Sequence, residues 1–170
     1  MKKILLLACL LGVGTIGFSQ RYAIIDTKYI LDKLTEYKDA QKQLDDVAAD
    51  WQKEIDTQQQ ELDRMYKDFD AEQVMLSDDL KKKREDQLFV KEKTLRDLQR
   101  KRFGFEGDLF KKRSELIKPV QDKVYNAVQK LAAARGYDFI LDKSEGITVI
   151  FADPKLEKSD DVLKELGYKN

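Results

Sequence analysis

Residues 35–118, about half of the chain, contain no proline, and their apolar residues recur at helical spacing. Tyr37, Ala40, Leu44, Val47, Trp51 and Ile55 follow in steps of three and four, then Leu62, Met65, Phe69 and Leu76. With 3.6 residues per turn, such steps place every one of these side chains on a single stripe. Consecutive steps of four, Val47 to Trp51 to Ile55, make a stutter that locally unwinds a supercoil. A second stripe runs through Leu88, Leu95, Leu98, Phe105, Leu109 and Leu116. Between the stripes, Ser77 is placed to cap a new helix, with Asp78 and Asp79 in its first turn. The pattern predicts two long antiparallel helices, about residues 36–75 and 77–135, joined at a tip near 73–79.

Charged residues make up 38% of the chain, well above the usual quarter, which suits long exposed helices better than a large globular core. Acids stand four residues before bases at Asp63–Lys67, Asp79–Lys83, Glu92–Arg96, Asp97–Lys101 and Asp108–Lys112. Each pair contributes roughly 0.2–0.5 kcal/mol to a helix. Both stripes also carry polar interruptions: Gln58 and Glu72 in the first, Arg84, Lys91 and Arg102 in the second. The seam is therefore expected to thin toward the tip. Gly104 and Gly107 fall inside the second arm, where each costs roughly 1 kcal/mol relative to alanine. They mark either close packing against the facing helix or a bulky ring, or a soft point in the arm.

The first 19 residues read as a secretory signal peptide. Lys2 and Lys3 precede an apolar run from Ile4 to Phe18, and Gly17-Phe18-Ser19 is a small-x-small cleavage site. Cleavage would start the mature chain at Gln20 or Arg21. The alternatives are retention as an anchor or lipidation at Cys9. Leu6-Leu7-Ala8-Cys9 has the look of a lipoprotein box, but only four apolar residues precede Ala8. Cys9 is the sole cysteine, so a cleaved chain has no thiol chemistry. Losing Lys2 and Lys3 leaves 30 basic against 32 acidic residues, a net charge of −2. Nothing in that balance calls for nucleic acid.

Residues 20–34 and 117–170 are expected to form a discontinuous, β-containing body, with 35–116 as the arm. Arg21 to Asp26 reads as a strand, and Thr27 to Leu34 as a short helix turning Tyr29, Ile30 and Leu34 inward. Pro119 should kink the second helix or restart it. Tyr137–Leu141 and Ile147–Phe151 read as a β-hairpin around Asp142–Gly146. Ser159 is placed to cap a last helix, with Asp160 and Asp161 in its first turn. Three short strands and so small a core are marginal alone, so a core shared between copies is expected. Ile24, Ile140 and Val149 are its candidate residues. The fold class is thus α+β, mostly α: a long antiparallel coiled-coil hairpin on a small β-containing body.

Catalysis has little to stand on. The chain has no histidine, no cysteine after the leader, no glycine-rich phosphate loop and no metal-ligand spacing. No cofactor and no enzymatic activity are expected. Carboxylates are abundant but alternate with lysines, as on a solvated face. Val74, Met75 and Leu76 occupy a turn that can bury little. With Phe103 and Phe105 they are the candidate contacts for an apolar partner. Lys81, Lys82, Lys83 and Arg84 are a candidate anion contact, such as lipid head groups, or simply keep the tip wet.

The order of parts resembles the Skp/OmpH family of periplasmic chaperones. The resemblance rests on Ile24-Ile25-Asp26, Ala40 to Leu44, the charged hairpin and Ile117-Lys118-Pro119-Val120. It continues through Gly136 to Asp142 and Asp153-Pro154 followed by Ser159-Asp160-Asp161-Val162. It implies a homotrimer whose helical arms enclose a cavity. It further implies ATP-independent holding of unfolded outer-membrane β-barrel proteins in the periplasm, with lipopolysaccharide as a further contact. The alternative function is a structural coiled-coil envelope tether, held by an uncleaved or lipidated N-terminus.

Overall fold

The computed structural model describes residues 20–144, 146 and 148–168. The predicted signal peptide with Cys9, and Ile147 of the predicted hairpin, lie outside these residues. Strand β1 (Tyr22–Ile25) is followed by helix α1 (Thr27–Lys33), then α2 (Thr35–Glu72), α3 (Asp78–Phe103) and α4 (Asp108–Arg135). Strand β2 (Phe139–Asp142), a 3-10 turn (Pro154–Leu156) and α5 (Ser159–Glu165) complete the order. The class is α+β and mostly helical. The chain divides into two compact units. One is Leu31–Lys123; the other joins the residues up to Ile30 with those from Val124 onward.

In the first unit α2 and α3 lie antiparallel, and the turn between Glu72 and Asp78 follows the tip expected from the stripes. Ile55, Leu62, Leu88 and Leu95 are buried together, with Met65, Phe69 and Leu98 packed against them. Ser77 takes the N-cap position of α3 with extended backbone, but its side chain makes no capping bond. Asp78 and Asp79 do occupy the first turn, where the helix dipole favours them.

The second arm is not one helix. It stops at Phe103 and restarts at Asp108. A Cβ at Gly104 would lie 2.3 Å from the Arg100 carbonyl oxygen, and one at Gly107 2.8 Å from that of Lys101. The glycines therefore make room for their own backbone, not for a facing helix or ring. Glu106, between them, has φ 53°, the left-handed region that side chains other than glycine rarely enter. Pro119 lies inside α4, which neither ends nor restarts there.

In the other unit β1 and β2 pair in parallel, Tyr22 opposite Phe139 and Ile25 opposite Asp142. This corrects the expected hairpin: the described residues from Thr148 to Phe151 are not in a strand. The far side of β1 is taken by a parallel bridge from Ile24 to Glu157, with the Lys158 amide donating to the Ile24 carbonyl at 2.8 Å. β1 is thus paired on both edges, and its Ala23, Ile24 and Ile25 are buried. Ile30, Val124, Ala127, Leu131, Val162 and Leu163 are buried in the same unit. The spacing of Val124, Ala127 and Leu131 keeps one face of α4 apolar. Tyr29, expected inward, stays exposed and donates its hydroxyl to Asp160.

Candidate functional site

The polar interruptions of the two stripes meet one another. Lys91 donates to Gln58 at 2.7 Å and to Glu61 at 2.6 Å. Arg84 pairs with Glu72 at 3.8 Å. Arg102 lies over the Trp51 ring, 4.6 Å from its centroid, and donates to Glu54 at 3.1 Å and Asp108 at 2.9 Å. Each break in the stripe of one helix therefore faces a polar or aromatic partner on the other. An antiparallel slip would strand a cation against leucine, so these layers hold the register of the hairpin. The sequence carried the signal: both stripes are interrupted, and folding the chain at 73–77 brings the interruptions together.

Of the five expected i,i+4 ion pairs, only Glu92–Arg96 closes, at 3.3 Å. Asp63 accepts from Gln59 instead, Asp108 from Arg102, and Lys112 turns to Glu115.

With the seam filled from within, large apolar side chains remain outside it. Val74 is 87% exposed and Met75 80%, while Leu76 is half-buried. Phe105, expected on the inner stripe, is 97% exposed because the chain leaves the helix at Gly104. Phe103 and Phe110 on either side are also exposed. Phe89 and Val90 were missed: they follow Leu88 off the contact stripe of α3 and are exposed too. Apolar residues off a well-defined stripe are the signal that would have found them. Val90 lines an open groove with Met65, Glu61, Lys83, Gln87 and Thr94.

The basic run does not gather into one patch. Successive helical residues point about 100° apart. Arg84 accordingly turns to Glu72, Lys81 is half-buried, and Lys83 faces the groove.

In the discontinuous unit, Asp142 accepts from the Thr27 amide at 3.1 Å, the Thr27 hydroxyl and the Ser144 amide at 3.0 Å. Partial burial pushes its carboxyl up, but these hydrogen bonds outweigh burial and hold it below the usual aspartate range. Glu157 repeats the balance. Burial raises it, and bonds from Lys143 and Ser159 bring it below its ordinary value. Ser159, expected as a plain helix cap, accepts from the Asp26 amide at 2.8 Å and donates to Glu157. These contacts tie the exit of β1 to the start of α5.

The expected body residues are not equivalent. Ile24 is buried within its own chain, while Ile140 and Val149 are half-buried. The exposed apolar residues of this unit are others. Tyr22 and Phe139 stack at 5.5 Å, Ile150 is 95% and Phe151 85% exposed, and Tyr125 is exposed on α4.

Among the described residues no helix is long and apolar enough to cross a membrane, and no group of three acidic, histidine or cysteine side chains could hold a metal.

The family described as outer membrane protein (OmpH-like) matches residues 21–166. A crystal structure from Caulobacter crescentus CB15, described as a candidate OmpH-like outer membrane chaperone, is similar in fold. Its TM-score is 0.70 at 18% identity, covering 90% of this chain and 88% of that one. No curated protein matches the chain in sequence.

Proposed function

The chain belongs to the OmpH-like outer membrane protein family, and from that premise we propose that it is an ATP-independent holdase chaperone of the periplasm. As a homotrimer it holds unfolded outer-membrane β-barrel proteins in a cavity between its helical arms. One observation carries this reading: the hairpin closes its own seam yet leaves Val74, Met75, Phe89, Val90 and Phe105 in solvent. Scattered apolar contacts on a charged scaffold suit a partner without a fixed shape. Ile140 and Val149, with Ile150 and Phe151 beside them, are the proposed contacts between copies. Export is supported by the leader pattern of residues 1–19, which lies outside the family match.

A β-barrel client unfolded in urea and diluted into buffer tests the proposal. The mature protein should suppress aggregation in proportion to its amount, without nucleotide. Holding should change by less than about threefold between low and physiological salt, where the Debye length falls from roughly 30 to 8 Å. The basic run is divided among several faces, so apolar contact should carry most of the affinity. Aggregation undiminished at a several-fold excess of protein would overturn the reading.

A further inference from the structure

Reading α3 along its contact face gives Leu88, Lys91, Leu95, Leu98 and Arg102, in alternating steps of three and four. Leu88 and Leu95 are buried, Leu98 packs on them, Lys91 bonds to Gln58 and Arg102 covers Trp51. All five face α2. The next two steps of the same pattern fall on Phe105 and Leu109. In an unbroken helix Phe105 would therefore enter the seam, one layer beyond Trp51. The antiparallel register sets that layer opposite Val47 and Ala48, which are only half-covered. The break at Gly104 swings Phe105 out of this place into solvent.

We propose that residues 103–108 are a two-state element, broken with Phe105 displayed or continuous with Phe105 seated in the seam. The two states have distinct supports. The Arg102–Asp108 ion pair joins residues six apart. In a regular helix such residues lie about 120° apart around the axis and about 9 Å along it and cannot meet, so this pair exists only in the broken state. The extended backbone at Gly104, which brings a Cβ against the Arg100 carbonyl, likewise belongs to the broken state alone. Against it stand the left-handed Glu106 and the solvent-exposed ring of Phe105. The continuous state relieves both and gives up the ion pair. The element thus offers and withdraws one apolar contact, whatever that contact serves.

Chymotrypsin reads the display directly, since it cuts after aromatic residues in chain that is not helical. Native nicking after Phe103 and Phe105 would be followed by mass in the full mature protein, with amide exchange over 103–108 in parallel. Gly104→Ala with Gly107→Ala should slow nicking at least tenfold and protect those amides. Asp108→Asn, which removes the broken-state ion pair, should move both readings the same way by a smaller factor. Glu106→Gly, which suits the left-handed backbone, should move them oppositely. If the double alanine variant fails to fold, Asp108→Asn and Glu106→Gly still decide. Rates within twofold of wild type in both, or both changing in the same direction, would overturn the proposal.

Discussion

In the hairpin, Gln58 and Lys91 meet across 33 residues of chain and Glu54 and Arg102 across 48. Around β1 the partners are far more remote: Thr27 and Asp142 are 115 apart, Asp26 and Ser159 133. The hairpin repeats one kind of layer, so each loss should stay local. The unit around β1 interlocks backbone, hydroxyl and carboxylate once only, so any loss should spread. Regular, redundant contact allows a long element to bend or fray without failing. A single non-repeating knot of contacts fails as a whole.

The strongest way to break this contrast is to empty matched core sites. Leu163→Ala in α5 and Leu62→Ala in α2 both remove nearly full side chains from burial, and each deletion costs about 2–5 kcal/mol. Leu163→Ala should unfold its whole unit and break up the proposed trimer, read by sedimentation. Leu62→Ala should speed amide exchange only along neighbouring turns of α2 and α3. Equal, global effects would erase the difference.

Polar contacts should separate the regions by a smaller margin. Thr27→Val strips Asp142 of its hydroxyl donor in a part-buried place, which should cost about 1–3 kcal/mol. Lys91→Met places an apolar chain between Leu88 and Leu95; of the two partners it loses, Gln58 is half-buried and neutral, and the charged one, Glu61, is exposed. Exposed pairs contribute about 0–1 kcal/mol, so the melting temperature should barely move. A larger loss for Lys91→Met would make the seam polar in character after all.

Acid should act on the non-repeating region most gently of the three. Asp142 and Glu157 both titrate below their ordinary values in the folded chain. Their stabilisation is therefore complete above the unfolded values, about 3.9 and 4.3. It is lost as the pH falls through the lower folded values. Thermal melting followed by tyrosine signal should be flat from pH 7 to 5 and decline below about pH 4. A decline beginning near pH 6 would point to some other group.

How far each region was legible follows from the same distances. The stripes of α2 and α3 repeat within a turn or two, so their helices and the tip could be read locally. The glycines were visible, but not that the chain would leave the helix at Gly104. Helical periodicity keeps Phe105 in step whether or not the backbone is helical there. β2 was expected to fold back on residues 147–151 because Asp142 to Gly146 has turn chemistry. Its partner is β1, and no local pattern announces a strand 117 residues away. Exposed apolar residues off the stripe, such as Phe89, carry no periodic signal of their own.

The parallel pairing of β1 with β2 has a consequence for the order of assembly. A chain made or exported from its N-terminus presents β1 first, and that strand must wait for nearly everything that follows. Closing a floppy loop of that length costs about 4 kcal/mol. A hairpin forming early from contacts near in sequence shortens the loop to a few flexible joints. Helical hairpins close in microseconds, whereas remote strand pairing is slow. The long arm is then also the guide by which the two ends of the polypeptide find each other. Truncating it evenly at the tip should leave refolding of the strands fast, while cutting one limb alone should slow it.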